Sequence, residues 1–195
     1  MTGWALRRTV APAEAPLDLT SAKKHLRVDG TDDDTLISSY IDAAVGRIEE
    51  HLTRQLVTAT FRLTLDRWPY GDEILLPRPP LQSVTSIEYT RSDGTTGVMP
   101  AGDYDPDVDS EPGRVILGDG KSWPGDQLTR ASAVRITYVA GYGDAADVPE
   151  TVVTAIRLLV GTLYEHRESV VVGTIAAPLP QSIEWILFPY RIWWF

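Results

Sequence analysis

An α+β fold is predicted: a helical bundle, an antiparallel β insertion and an extended aromatic C-terminal arm. Three observations predict it. Apolar residues recur at helical spacing in two long stretches, one near residues 33–53 and one from Val148 onward. Between them the period drops to two, and Gly, Pro and Asp break the chain into short runs. The last residues are then apolar and aromatic where a terminus is ordinarily polar and frayed.

The elements follow in chain order. Residues 1–16 are rich in Ala and Pro and are expected to form an N-terminal arm. Residues 17–28 read as a short helix, with Thr20 or Ser21 as its N-cap and with Ala22, Leu26 and the stem of Lys23 on one face. Thr31 and Asp34 have capping-box spacing, and Asp32, Asp33 and Asp34 suit the positive end of a helix dipole. The helix they start is placed at 33–53, with Leu36, Ile37, Tyr40, Ile41, Ala44, Val45, Ile48 and Leu52 forming its apolar stripe.

Residues 57–140 read as the β insertion. Thr58 to Asp66 alternates apolar and polar residues as a half-buried strand does. Further strands are expected at Glu73–Leu76, Val84–Tyr89, Arg114–Leu117 and Val134–Val139, with a hairpin turn at Ser92-Asp93-Gly94-Thr95. Helical period returns at Val148-Pro149-Glu150, and the third helix is placed at 148–168, with Val152, Val153, Ile156, Leu159, Val160, Leu163 and Tyr164 as its buried stripe. Residues 17–168 form one domain on this reading, and 169–195 form a linker and a C-terminal arm.

Composition narrows the function. The chain has 195 residues, 43% hydrophobic and 23% charged, the balance of a globular protein with a sizeable core. The formal net charge of −9 makes it a poor binder of duplex nucleic acid, which needs clustered Lys and Arg. With 0 Cys there is no disulfide framework, thiolate zinc site or Cys nucleophile. No apolar run reaches the roughly 18 residues of a membrane span, and Met1 to Val10 lacks the apolar run of a signal peptide.

The candidate chemical motifs mostly dissolve on inspection. Asp103 to Glu111 alternates carboxylates, but an EF-hand started at Asp103 would need Gly where Val108 stands and Glu where Arg114 stands. A solvated acidic loop or strand face is the ordinary reading, and an irregular calcium site the other. Gly118-Asp119-Gly120-Lys121-Ser122 lacks the first Gly of a phosphate loop, since Val115 occupies that place. His25, His51 and His166 have no metal-ligand spacing, and the last two sit near helix C-termini, where an imidazole needs no chemistry to be favourable. No catalytic residue, cofactor or metal ligand is assigned.

The C-terminus is the candidate site. Six aromatic residues fall in the last 13 positions, among them Trp185, Phe188, Tyr190, Trp193, Trp194 and Phe195. Such a segment fills its own core, docks on a partner or anchors to a membrane. It is too short to span a membrane and lacks a basic interfacial face. Trp, Tyr and Arg are favoured interface anchors, which supports partner docking. Pro189 bars a continuous helix, so an extended peptide is expected.

The order of several segments resembles one family. Leu19-Thr-Ser-Ala-Lys-Lys-His-Leu-Arg-Val-Asp29 is followed by Asp32-Asp-Asp-Thr-Leu-Ile37 and Leu76-Pro-Arg-Pro-Pro-Leu-Gln-Ser-Val-Thr-Ser-Ile87. Trp123-Pro124, Tyr138-Val-Ala-Gly-Tyr-Gly143 before Val148-Pro149, and Tyr164-Glu-His-Arg167 complete the series. Together they resemble the gp6-like and gp8-like head–tail connector (adaptor) proteins of tailed phages and gene transfer agents. The resemblance implies a non-enzymatic, homo-oligomeric ring beneath the portal protein, with the portal's twelve-fold symmetry. Its location would be the capsid–tail junction of the virion, after assembly in the host cytoplasm. It implies that DNA passes through the ring without sequence-specific binding, and that a tail-side connector, stopper or terminator protein sits below. The family's C-terminal arm reaches into the portal, so Trp185, Ile186, Phe188, Pro189, Tyr190, Arg191, Ile192, Trp193, Trp194 and Phe195 are expected to bind it. The alternatives are another virion connector, such as a head-completion or tail-terminator protein, and, outside that class, a metal-assisted hydrolase using Asp103–Glu111.

Overall fold

The computed structural model describes residues 3–166 and 179–192. They divide into two compact units. One holds the described residues up to Pro12 together with Thr58–Tyr142, and the other holds Ala13–Val57 with the described residues from Gly143 onward.

The second unit is helical. It contains α1 (Leu19–Leu26), α2 (Asp34–Leu52), α3 (Glu150–Glu165) and α4 (Gln181–Leu187). Ile37, Ile41, Ala44, Ile48 and Leu52 of α2 and Val152, Val153, Ile156 and Val160 of α3 are all buried, as the periodic stripes require. Both stripes therefore close on a common core, with Ala22 of α1 added to it. Residues 167 and 168, placed in the third helix by periodicity, lie outside the described residues.

The caps differ from expectation. Asp18, not Thr20 or Ser21, caps α1: its carboxylate accepts the Ser21 amide at 2.8 Å and the Ser21 hydroxyl at 2.7 Å. Those bonds hold the Asp18 carboxyl below its ordinary range. A carboxylate outcompetes a hydroxyl because the helix dipole favours its charge. The capping box from Thr31 to Asp34 does not form. Thr31 gives its carbonyl to the Asp34 amide, and the Asp34 carboxylate instead takes Lys23 Nζ at 2.5 Å, tying α1 to α2. Asp33, at the N-cap position, accepts the Tyr164 hydroxyl at 2.5 Å and so ties α2 to α3.

The first unit is all β. A five-stranded antiparallel sheet runs β1 (Trp4–Val10), β2 (Ala59–Leu65), β8 (Val134–Ala140), β4 (Leu81–Thr90), β5 (Thr96–Val98). A three-stranded sheet runs β3 (Glu73–Leu75), β7 (Arg114–Leu117), β6 (Tyr104–Asp107). Strict alternation buries one face of each: Val134, Ile136, Tyr138 and Ala140 of β8, and Phe61 and Leu63 of β2, meet Ile74, Val115 and Tyr104 of the smaller sheet in one core. Aromatic rings pack along it, with Phe61 stacked on Tyr138 at 5.7 Å and Trp68 stacked on Trp123 at 5.1 Å between centroids. Trp123 thereby pins the loop from Gly118 to Gly125 to the β core.

Residues 4–10 are a correction: they are not an arm but the edge strand of the large sheet, paired with β2 from Trp4↔Leu65 to Val10↔Thr60. Only Leu6 is half-buried, so the strand carries no alternation to read, and its pairing rests on backbone bonds. β6 was hidden for a different reason. Pro106 lies within it, tolerated because β6 is an edge.

Tyr138 spans the core and donates its hydroxyl to the Pro77 carbonyl at 2.6 Å, and burial pushes its pKa upward. Tyr138→Phe keeps the ring but strands that carbonyl. It is expected to lower the free energy of unfolding by about 1 kcal/mol in a urea titration, with the slope unchanged.

Candidate functional site

The site begins where α2 ends. Thr53 adopts φ +57°, a left-handed conformation unusual for a β-branched residue. It closes the helix through amide bonds from Thr53 to Glu50 and from Arg54 to Glu49, each 3.2 Å. The turn sends Arg54 and Gln55 inward, where both are buried together with Glu49. Glu49 Oε1 accepts Gln55 Nε2 at 2.6 Å and the Leu56 amide at 3.2 Å, and Gln55 Nε2 also donates to the Val57 carbonyl at 2.9 Å. Buried polar groups are stable here because they bond to one another and to backbone.

This cluster holds the C-terminal segment. Arg54 Nε donates to the Tyr190 carbonyl, and the Ile192 amide donates to the Leu52 carbonyl at 3.2 Å. Between them, Leu179, Ile183 and Leu187 recur every four residues and are all buried, which seats α4 against α3. Burying Ile183 and Leu187 stabilises the seat by about 1.5–3 kcal/mol each. Pro180 stands at the N-cap of α4, and Pro189 ends it in a single 3-10 turn over Phe188–Tyr190.

The outward side of α4 is different. Trp185 is 75% exposed and Phe188 65% exposed. With His51, Glu184 and Arg191 they line a groove of about 390 Å³. His51 sits in the last turn of α2, and burial first, then the nearby Arg191 charge, holds its pKa below the ordinary 6.5, while Glu184 pulls the other way. The helix C-terminus therefore does not leave this imidazole positive.

The residues proposed from sequence thus fall into three groups. Trp185, Phe188, Pro189 and Arg191 are exposed. Ile186, Tyr190 and Ile192 are half-buried. Trp193, Trp194 and Phe195 lie outside the described residues, as do residues 169–178 of the expected linker. The extended peptide expected for this segment is corrected over 181–190: it is helical, because its apolar residues have an inner core to meet before Pro189 intervenes. Sequence reasoning passed over Ile183 and Leu187 as separate inward anchors, although the spacing Leu179, Ile183, Leu187 carries the signal. It also passed over Arg54, whose role is set by a bond across 136 positions of sequence.

Elsewhere the acidic segment is spent on structure. Asp107 accepts Ser110 Oγ at 2.5 Å and Arg114 Nε at 2.9 Å, which hold its pKa down to about 2, and Asp103 pairs with Lys121 at 2.6 Å. Among the described residues no three His, Cys, Asp or Glu side chains gather as metal ligands would.

Comparison with known proteins places the chain. Residues 16–95 match the family of phage gp6-like head-tail connector proteins. The fold is similar to a chain from the neck of an empty GTA particle computed with C6 symmetry, with a TM-score of 0.78 and 25% identity, over 98% of this chain and 97% of that one. It is also similar to a chain from the virion of a native gene transfer agent particle, with a TM-score of 0.77 and 26% identity, over 97% and 96% of the two chains. A chain from the neck of a native GTA particle computed with C12 symmetry shares the fold at 24% identity and a TM-score of 0.77. No curated protein sequence matches.

Two measurements check the seat of the tail. Arg54→Met leaves the Tyr190 carbonyl without its charged donor, and is expected to cost about 2 kcal/mol and to open Arg191 to trypsin. His51 is easier to protonate unfolded than folded, so its contribution is full above pH 6.5 and is lost as pH falls below it. His51→Gln is expected to flatten the fall in melting temperature between about pH 7 and pH 5.

Proposed function

We propose that this chain, a head–tail connector by family, is a structural neck component that forms a homo-oligomeric ring under the portal protein of a phage or gene-transfer-agent-like particle. The observation that carries the reading is the likeness, over 98% of the chain, to a neck protein of such a particle. The C6 symmetry of that neck argues for an even-membered ring here. Family and structural neighbours are virion components, and the function proposed is mechanical, with no catalytic step.

The portal contact is assigned to the outward side of the C-terminal segment. Ile183 and Leu187 fix α4 to the subunit, and Trp185 and Phe188 keep most of their surface in solvent. Large aromatic side chains held on a seated helix lose little entropy on docking, and they displace water from a large area. The ring would line a passage for DNA, and an acidic chain suits that task because it repels the phosphates rather than holding them. A stopper or terminator protein on the tail side completes the reading.

The test is binding to isolated portal, read by electron microscopy as an added ring. Trp185→Ala with Phe188→Ala removes mostly exposed side chains, and an unchanged melting temperature checks that the subunit keeps its fold. This pair is expected to weaken portal binding by about 100-fold, two anchor losses of the usual size. A chain ending at Ile192 separates the contribution of the last three residues. Unchanged binding in both variants would place the portal contact elsewhere on the chain.

A further inference from the structure

The β unit carries opposite charge on its two outer faces. In the five-stranded sheet, Phe61 and Leu63 point into the core, so Arg62 between them points out. Arg7 on the edge strand lies directly opposite Arg62, and residues paired in this way share a face. Arg135 of β8, opposite Thr64, lies on the same face, between the buried Val134 and Ile136. Thr60, Thr64 and Thr137 fill the row between them. Two carboxylates join this side among the described residues: Glu88, opposite Arg135 and 3.7 Å from it, and Asp66, at the end of the Arg62–Thr64 row beside Gly3. Arg7 and Arg62 are both exposed, and among the described residues neither forms an ion pair. Like charges directly opposite on neighbouring strands destabilise a sheet.

The three-stranded sheet shows the reverse. Tyr104, Val115 and Ile74 point into the core, so Asp105, Ile116 and Glu73 form a row across its outer face. Asp107 and Arg114 lie on that face one step along. Arg114 is shared between Asp107 and Glu73, both at 2.9 Å, and exposed Asp105 is left over. The first face thus carries three guanidiniums to two carboxylates, Glu88 and Asp66, and the second three carboxylates to one guanidinium. Leu75, 44% exposed, and half-buried Ile116 add an apolar strip to the second face.

We propose that the Arg7–Arg62–Arg135 face of one copy docks on the Glu73–Asp105–Asp107 face of the next, as a head-to-tail contact of the ring. The contact rests on the ring reading above. Two different surfaces that complement each other are what a heterologous interface needs, and such an interface closes when the rotation between copies fits. The two faces turn away from one shared core, so each copy offers one to either neighbour. The charge excess on the two is opposite in sign, which favours a second copy of this chain over an unrelated anion. The unpaired Arg7–Arg62 pair would then meet carboxylates only in the assembled particle.

Charge exchange tests this. R7E/R62E makes both faces acidic, and E73R/D105R makes both basic. Neither chain can contact itself, but in a one-to-one mixture the two alternate, and an even-membered ring closes. Each variant alone is expected to add about tenfold fewer rings to portal than the native chain, and the mixture to recover to within about twofold. All these positions are exposed, and matched melting temperatures show that folding is intact. The loss in each single variant should deepen at low ionic strength, where repulsion is less screened. Normal rings from either variant alone, or no recovery in the mixture, overturn the proposal. Normal rings from R7E/R62E with loss of packaged DNA would assign the basic face to the phosphate backbone instead. A second readout is independent of portal. The chain has 0 Cys, so R62C and D105C can be mixed and oxidised. Mixed disulfide dimers well above the statistical share support the contact even if the native chain adds no ring, an outcome that would sink the connector reading alone. A statistical mixture of dimers, together with failed recovery, overturns it.

Discussion

A helix has to end somewhere, and its last carbonyls need donors when it does. α2 ends at Thr53 in a left-handed turn, and much of the helical unit depends on that turn. It satisfies the carbonyls of Glu49 and Glu50, and leaves the Leu52 carbonyl for Ile192 of the tail. The same turn swings Arg54 and Gln55 inward. A β-branched residue holds a left-handed conformation only when its surroundings impose it. Here the imposing groups are the Glu49 carboxylate, bonded to Gln55 and Leu56, and the Arg54 guanidinium, bonded to Tyr190.

That arrangement explains why the C-terminal segment is divided rather than simply buried or simply free. A charged side chain below the surface must keep its partners, so Arg54 holds the chain at Tyr190. Ile183 and Leu187 hold the preceding turn and a half by apolar burial. What remains on the outer side of α4 is held in place largely by that burial. Trp185 and Phe188 are therefore presented on a seated helix, and the entropy of ordering it is already met in the free subunit.

The sequence was most readable where burial imposed a period. β8 alternates without interruption, and α2 and α3 each bury one stripe, so their existence and inward residues follow from spacing alone. It was least readable where burial was slight. β1 exposes six of its seven residues, so its pairing leaves no mark in the residue pattern. α4 has two turns and two inward residues, close to the shortest amphipathic signal that exists, and two prolines flank it. Caps were read to within a residue or three, because several acceptors stood close together and the choice turned on which carboxylate was already claimed. Asp34 was claimed by Lys23. The aromatic excess of the tail was visible at once, but its division into an inner and an outer side needed Arg54.

Net charge bears on assembly in a way a single subunit conceals. Each copy carries a formal charge of −9, so every subunit added to a ring meets a growing negative field. Long-range repulsion of this kind is screened within about 8 Å at physiological salt, whereas contacts at an interface are not. A ring of acidic subunits is therefore held by what happens within contact distance, by apolar anchors and by local reversals of sign. On the contact proposed above, the β unit would supply the reversal, with Arg7, Arg62 and Arg135 on one outer face and Glu73, Asp105 and Asp107 on the other. The tail would supply the anchor. On the proposed function, an acidic protein built this way would assemble by contact while its average surface still turns away nucleic acid, the balance that a passage for DNA requires.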